Sequence, residues 1–341
     1  MISIDVGNRN LHIVEGNPGN QRVELTRCIS VPIPQGMNDD GTFSRVEELS
    51  RILTATLSSN HMNSREAVMT VNISTMVTRD FEFPNAKPAE LSAMVRSEME
   101  QVLAAGASNH IIDYRVTAVL ENNKKVKVRA AALPRDVVER ALALLSASRL
   151  KPVALDIHAN SVAKLFSEGV KVNGLTCSND CAVLLAEFGY SGTSLYIISN
   201  SGIEFTRTIP LGGREFDSII SRNLGITPQE AEEIKLKADM GHLDALDHDT
   251  EDQVRTFINR WTDEIHKLIQ YHNTRSALST IRNMFLFGGG SRMAGLTEYL
   301  EGLFSIKCEV IKDVSKVKLP SRGAAFPIDQ YINAIGAMIR L

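Results

Sequence analysis

Apolar and polar positions in this chain follow a pattern that returns after about half its length. Ile2-Ser3-Ile4-Asp5-Val6-Gly7 predicts a strand ending in Asp-x-Gly. Asn8-Arg9-Asn10 turns it into a second strand, Leu11-His12-Ile13-Val14, and Asn17-Pro18-Gly19-Asn20 leads to a third over 23–31. The same frame recurs later. Ala182-Val183-Leu184-Leu185-Ala186-Glu187-Phe188-Gly189 ends in Glu-x-Gly, Tyr190-Ser191-Gly192 leads to a strand over 193–198, and Asn200-Ser201-Gly202 leads to one over 203–209. The third strands match position by position, Val23-Glu24-Leu25-Thr26-Arg27-Cys28-Ile29 against Ile203-Glu204-Phe205-Thr206-Arg207-Thr208-Ile209. A repeat of this period predicts a duplicated β-β-β-α-β-α unit, hence two related domains around a cleft.

Between the copies, the spacing predicts an amphipathic helix over 44–57 and strands over 67–73 and 76–83. Pro88 opens a helix with Leu91, Met94, Val95, Met99 and Val102 at helical spacing. Those methionines suit helix packing or the lining of a peptide groove. Residues 110–133 alternate as a hairpin turning at Glu121-Asn122-Asn123, and a helix follows over 134–148. Residues 76–145 thus form a β-α-β-β-α insert. A strand over 152–155 enters a helix over 157–167. In the second half, Gly212-Gly213 opens a helix, and Thr227 to Glu230 has capping-box spacing. A polar loop over 241–249 and a helix over 250–276, with Trp261 on its core face, come next. The apolar strand Met284-Phe285-Leu286-Phe287 then runs into Gly288-Gly289-Gly290, a helical pattern through Phe304, a strand over 308–311 and a helix over 328–339. The expected fold is α/β, with two duplicated domains around a cleft: 1–75 with 146–175, and 176–341, the first carrying the insert 76–145.

Composition narrows the function classes. The chain has 341 residues, 43% hydrophobic and 23% charged, with net charge −3. The one basic run, Lys124, Lys125, Lys127 and Arg129, sits on the predicted hairpin, so no nucleic-acid footprint is expected. Cys28, Cys177, Cys181 and Cys308 show no metal-ligand spacing and suit small core residues in a reducing compartment. No apolar run approaches a spanning helix, and a strand beginning at Ile2 leaves no room for a signal peptide. The expectation is a cytoplasmic protein without direct membrane insertion, any membrane attachment coming through a partner.

The chemistry concentrates at three turns. Asp5 and Glu187 end equivalent strands beside glycine turns, whose N–H groups can cradle phosphates. Their carboxylates can hold Mg²⁺ through water. Gly288-Gly289-Gly290 removes every Cβ from a strand-to-helix turn, either for packing or to receive a flat group. Asp5 can instead cap its turn, Asp156 can cap the helix that follows it, and His12 can be packed.

Taken together, two phosphate hairpins, a connecting helix and an adenosine loop resemble the ATPase superfamily of actin, heat-shock chaperones and hexokinase. Within it the chain is most similar to the PilM family of type IV pilus assembly, and also to FtsA and to the type II secretion L proteins. The resemblance rests on the insert with Ile112-Asp113-Tyr114, on Val153-Ala154-Leu155-Asp156-Ile157, and on Arg207-x-Ile209-Pro210-x-Gly212-Gly213. The Ala231-Glu232-x-x-Lys235 helix and Asn333-Ala334-Ile335-Gly336 add to it. FtsA-like chains carry an amphipathic tail, and the closing helix near Leu341 is expected to lack one, which favours PilM.

The resemblance implies that Asp5, Gly7, Asn8 and Asn10 line the first phosphate hairpin, and Gly189, Ser191, Gly192 and Thr193 the second. It puts Glu232 and Lys235 near ribose and adenine, and Gly288, Gly289, Gly290 and Arg292 in the adenosine loop. Asp5 and Glu187 would serve Mg²⁺, and Asn160 with Asp156 would serve the attacking water. The implied cofactors are ATP or ADP with Mg²⁺. The implied function is an ATP-binding scaffold of the pilus inner-membrane platform that binds the cytoplasmic N-terminal peptide of a PilN-like protein in a groove between the first domain and the insert. Other platform proteins or motor ATPases and self-association are further implied partners. The alternative is an FtsA-like filament former or sugar-kinase-like enzyme with real turnover. His12 for a lysine, Glu187 for an aspartate, Tyr190 in a phosphate turn and Asn160 for a glutamine predict secure nucleotide binding and slow or absent hydrolysis.

Overall fold

The computed structural model describes residues 1–341 other than 20–21, 40, 167–168, 177–180, 200–201, 242, 244–245, 276–279, 321–325 and 340–341. The expected turn at Asn200-Ser201, part of the loop over 241–249, Cys177, the side chain of Cys181 and the end at Leu341 lie outside the described residues.

Strands β1 (Ile2–Val6), β2 (Asn10–Pro18) and β3 (Val23–Pro32) form an antiparallel meander. Helix α1 (Val46–Ser59) carries the chain back to β4 (Glu66–Val71), parallel to β1. The inserted stretch follows as β5 (Val77–Pro84), α2 (Pro88–Leu103), β6 (His110–Leu120), β7 (Lys125–Pro134) and α3 (Arg135–Ala147). The chain returns through β8 (Lys151–Ile157), parallel to β4, into α4 (His158–Leu165). The second meander is β9 (Cys181–Phe188), β10 (Thr193–Ser199) and β11 (Gly202–Ile209). Helices α5 (Gly213–Leu224), α6 (Pro228–Lys237) and α7 (His248–Arg275) lead to β12 (Thr280–Phe287), parallel to β9. Then come α8 (Leu296–Phe304), β13 (Lys307–Val310), β14 (Val317–Lys318) and α9 (Ile332–Met338).

The two larger sheets have one strand order. The first runs β8-β4-β1-β2-β3, with β14 added beyond β3, and the second runs β13-β12-β9-β10-β11. The sequence repeat is therefore a structural duplication. Strand β1 is buried on both faces, and its period of two divides its roles. Ile2, Ile4 and Val6 share a core with Leu49 and Leu53 of α1 and Leu144 of α3. Ser3 and Asp5 therefore project from the other face, against which α9 packs. Helices α4 and α9 lie between the sheets, where Val162, Leu165, Ile332 and Ile335 pack with Val68 of the first sheet and Leu185 and Phe285 of the second. The helices cross so closely that a Cβ on Gly336 would overlap the carbonyl of Ser161. That contact gives the glycine of Asn333-Ala334-Ile335-Gly336 its physical reason.

In the insert, the sheet order is β5-β7-β6. Leu91, Val95 and Met99 of α2 bury against Phe83, Val126 and Val128, and Met94 packs beside them, so both methionines serve packing. Burying side chains of this size stabilises by about 1.5–3 kcal/mol each. Helix α3 closes the insert in sequence, but its Ala141, Leu144 and Leu145 pack in the core of the first sheet.

Two expected helices start late. After the glycine run, a short 3-10 turn spans Gly289–Arg292, and the α-helix waits until Leu296 because Gly295 takes a left-handed φ of +67°. The helix expected from 328 begins with a 3-10 turn, Ile328–Gln330, whose Asp329 carbonyl accepts the Gly288 N–H at 2.9 Å.

Candidate functional site

The two meanders end in the same tight turn. Gly7 N–H donates to Asn10 O at 2.9 Å, and Gly189 N–H donates to Gly192 O at 3.0 Å. A Cβ would sit 3.0 Å from Asn10 O in the first turn and 2.8 Å from Gly192 O in the second, so each turn closes around a missing side chain. The apices meet across the space between the sheets. Ser191 Oγ donates to Asn8 Oδ1 at 3.1 Å. Arg9 pairs with Glu232 on α6, and its guanidinium lies 5.1 Å from the centre of the Tyr190 ring.

The other residues expected at this cleft divide into those that face it and those that do not. Thr193 is fully buried. Its hydroxyl donates to Leu211 O at 2.9 Å and accepts Trp261 Nε1–H at 2.8 Å, so it belongs to the core and not to a phosphate cradle. Glu232 and Lys235 share α6 but diverge. Lys235 is buried with its ammonium 2.7 Å from Asp217 Oδ1, beneath Gly213 at the start of α5. Burial pushes the Asp217 carboxyl up, against the pull of Lys235. Within the glycine run, a Cβ on Gly288 would lie 2.8 Å from Phe188 O and one on Gly290 3.0 Å from Phe188 Cβ. Gly289 meets nothing within 4 Å, so it is the member with an open face. Arg292 turns away to a two-pronged pair with Asp329, at 2.9 and 3.1 Å, which ties the loop to the segment before α9.

Behind the hairpins, Asp5 and Glu187 approach a common partner. His158, the first residue of α4, places Nε2 3.1 Å from Asp5 Oδ1 and Nδ1 3.4 Å from Glu187 Oε2. A carboxylate oxygen faces each ring nitrogen, an arrangement that favours the doubly protonated ring. Burial opposes that charge, and Asp5 and Glu187 more than offset it, raising the His158 pKa to about 10. Burial likewise pushes Asp5 up, but the charge and hydrogen bond of His158, with His12, leave it below its ordinary value. Glu187 has two further partners: Oε1 accepts Asn333 Nδ2–H at 2.7 Å, and Oε2 also accepts Tyr196 O–H at 3.0 Å. His12 stands opposite Asp5 in the strand pair and edge-on to Tyr331 at 5.5 Å. Its Nδ1 has no hydrogen-bond partner among the described residues. Burial holds its pKa down against Asp5 and Glu187.

Asn160 and Asp156, expected beside the attacking water, are bonded elsewhere. Asn160 Oδ1 accepts Arg115 Nη1–H from the insert at 2.9 Å, and its Nδ2–H donates to Asp156 Oδ1 at 2.7 Å. Asp156 also pairs with Lys164 at 2.7 Å. The helix sets this split. Two residues along α4 is about 200° of rotation, so Asn160 points away from the side His158 occupies.

Both residues line a cavity of about 230 Å³. The insert contributes Ile111, Asp113, Arg115 and Leu133 to its wall, β8 contributes Leu155 and Ile157, α4 contributes Ala159, and β11 contributes Ile203 and Thr206. Strands β6 and β8 are each at the edge of a sheet. Arg129 in its wall is fixed by two 2.7 Å bonds to Asp80 and donates to Ile203 O at 3.1 Å, linking insert and second sheet.

Residues 3–339 match the family model described as type IV pilus assembly protein PilM. The chain belongs to the PilM family. Its fold is also that of the solved PilM-PilN type IV pilus biogenesis complex, at 20% identity and a TM-score of 0.80 over 99% of this chain and 97% of that one. Ethanolamine utilization protein EutJ from Carboxydothermus hydrogenoformans follows at 12% identity and a TM-score of 0.57, over 99% and 89% of the two chains. MreB 5 of Spiroplasma citri bound to AMPPNP is similar at 13% identity and a TM-score of 0.50, over 91% and 90%. These likenesses establish the duplicated actin-like α/β fold.

In this PilM-family chain, the expected metal residues Asp5 and Glu187 hold partners within the protein. A Mg²⁺ shell needs carboxylate oxygens that can accept from its waters. Here Asp5 Oδ1 and Glu187 Oε2 accept from His158, and Glu187 from Asn333 and Tyr196 besides, which leaves fewer of their lone pairs for such waters. No group of three or more His, Cys, Asp or Glu among the described residues is arranged to hold a metal. Sequence reasoning missed His158, Asn333 and Arg9 as site residues of this PilM-family fold. His158 directly follows the strand end Asp156-Ile157, and Asn333 lies in a family motif, but only tertiary structure reveals their common target.

Proposed function

We propose that this chain is a cytoplasmic scaffold of the type IV pilus platform, peripheral at the inner membrane, that takes the N-terminal peptide of a PilN-like membrane protein into the cavity between β6 and β8. The observation that carries this reading is the cavity itself. Two sheet edges flank an apolar wall, and an edge strand offers unpaired backbone groups to an extended peptide. The solved relative in complex with PilN supports the class of partner. No helix among the described residues is long and apolar enough to cross a membrane, which suits attachment through that partner. Other platform proteins or motor ATPases, and further copies of the chain, would meet the surfaces left free.

The same reading puts ATP or ADP between the hairpins, with phosphates at the apices of 7–10 and 189–192 and the base against Gly289. The AMPPNP-bound MreB 5 of the same fold supports this. The lobes are assigned to 1–75 with 146–175 and to 176–341, with 76–145 as the docking insert. Hydrolysis is slow or absent, because Asn160 and Asp156 face the cavity and not the hairpins.

The test is fluorescence anisotropy of a synthetic peptide matching the PilN-like N-terminus, alongside phosphate release. Saturable peptide binding is expected, and Ala131→Arg, which fills the cavity, should weaken it about tenfold or more while leaving ATP affinity unchanged. Absence of peptide binding by the wild type, or fast phosphate release without peptide, would overturn the scaffold reading.

A further inference from the structure

We propose that Arg9 is the side chain that grips the phosphates of the nucleotide, and that Glu232 is the internal anion it gives up to do so. This rests on the nucleotide reading above and names the pair that selects a polyphosphate.

Three observations carry it. The first is position. Arg9 belongs to the turn 7–10, and its guanidinium lies 5.1 Å from the centre of the Tyr190 ring in the turn 189–192. The 3.1 Å bond from Ser191 to Asn8 joins the same two turns beside it. A cation therefore stands where the two hairpins converge.

The second is availability. The other two cations expected at the cleft are committed elsewhere. Lys235 is buried against Asp217 at 2.7 Å, and Arg292 is held by both oxygens of Asp329 at 2.9 and 3.1 Å. Arg9 bonds only through Nη2, to Glu232, and its N–H groups at Nε and Nη1 have no acceptor among the described residues. A guanidinium carries five N–H donors in a planar fork, which suits the oxygens of a phosphate as well as those of a carboxylate.

The third is exposure. The Arg9 side chain is 19% exposed and that of Glu232 36%, so water reaches the pair and can solvate the carboxylate once it is released. Ion pairs open to solvent are weak and exchange easily. A phosphate that engages two N–H groups of Arg9 replaces one bond with a stronger, two-pronged contact.

The consequence is selection by charge. Within the pair, one positive and one negative charge cancel. A neutral nucleoside gains nothing from separating them, whereas a di- or triphosphate brings oxygens of higher charge to the same donors. Glu232 thus sets a threshold that a polyphosphate passes.

The experiment is isothermal titration of ATP into the full chain, at a fixed excess of Mg²⁺, for the wild type, Arg9→Gln and Glu232→Gln. The two variants should move in opposite directions. Arg9→Gln should lose about tenfold or more in affinity, and Glu232→Gln should gain about threefold or more. A pair that only ties the two halves together, or a Glu232 that touches the ribose, would make Glu232→Gln bind more weakly. A smaller gain or a loss in that variant overturns the inference, as does a smaller loss in Arg9→Gln, and in either case the nucleotide site stands. If the wild type binds no ATP, the nucleotide reading fails and takes the inference with it. Both side chains are partly exposed, so wild-type melting midpoints are expected. Should Arg9→Gln fail to fold, the direction of Glu232→Gln decides alone.

Discussion

The hydroxyl of Ser191 donates to Asn8 Oδ1 at 3.1 Å, joining the apex of one duplicated turn to the apex of the other. Arg9 and Glu232 flank this contact and hold the same two halves together. The cleft is therefore latched at its mouth by side chains that are partly open to solvent, 19% for Arg9 and 36% for Glu232.

The double variant Arg9→Ala, Ser191→Ala should open this latch without unfolding the protein. Partly exposed ion pairs are worth about 0–1 kcal/mol, so the denaturation midpoint should barely move. Amide hydrogen exchange over 7–10 and 189–192 should accelerate, and bound nucleotide should leave faster. Unchanged exchange in both turns would show that the contact does not hold the lobes.

His158→Ala leaves Asp5 and Glu187 facing each other in a buried space. Breaking a buried pair by removing one partner costs about 3–5 kcal/mol. Urea unfolding should register a loss of that order, and adding Asp5→Asn should recover part of it, since one of the stranded charges is then removed. A double variant less stable than the single one would contradict the assignment.

The same contacts fix a pH dependence. The folded His158 pKa is raised from 6.5 to about 10, so its contribution is complete below 6.5 and is lost as pH rises through about 10. On the acid side, Asp5 lies below its ordinary 3.8, so its contribution is present above that value and is lost as pH falls through the folded pKa. Melting temperature should decline from neutral pH toward pH 10 more steeply in the wild type than in His158→Gln. Parallel alkaline declines in the two proteins would remove His158 as the cause.

Gly289→Val and Gly290→Val should behave differently. Nothing lies within 4 Å of a Cβ on Gly289, so that variant should fold normally and lose nucleotide affinity by about tenfold or more. A Cβ on Gly290 would meet Phe188 at 3.0 Å, and overpacking of this kind costs about 1–3 kcal/mol. Thermal melts with and without ATP separate the two effects. Equal ATP affinity in Gly289→Val and wild type would remove the base from this loop.

Much of this is legible in the chain itself. The matched strands at 23–29 and 203–209 announced the duplication, because strands of equivalent burial and pairing select similar side chains at similar positions. The glycines of the two turns were legible because each turn excludes a Cβ through its own local hydrogen bond, Gly7 to Asn10 and Gly189 to Gly192. Thr193 reads as a turn residue from its neighbours in sequence, whereas its hydroxyl partners, Trp261 and the Leu211 carbonyl, come from elsewhere in the fold.

The sequence by itself determined the elements, their duplication, the insert and the strand-end carboxylates, since these depend on periodicity and on contacts within a few residues. Only the tertiary structure decided which groups meet. His158 and Asn160 stand two residues apart, and no local rule says which of them faces the cleft. That choice depends on the rotation of α4 between two sheets, with Asp5 separated from His158 by 153 residues and Glu187 by 29. Long-range packing at that point, and not any local motif, brought His158 between the two strand-end carboxylates.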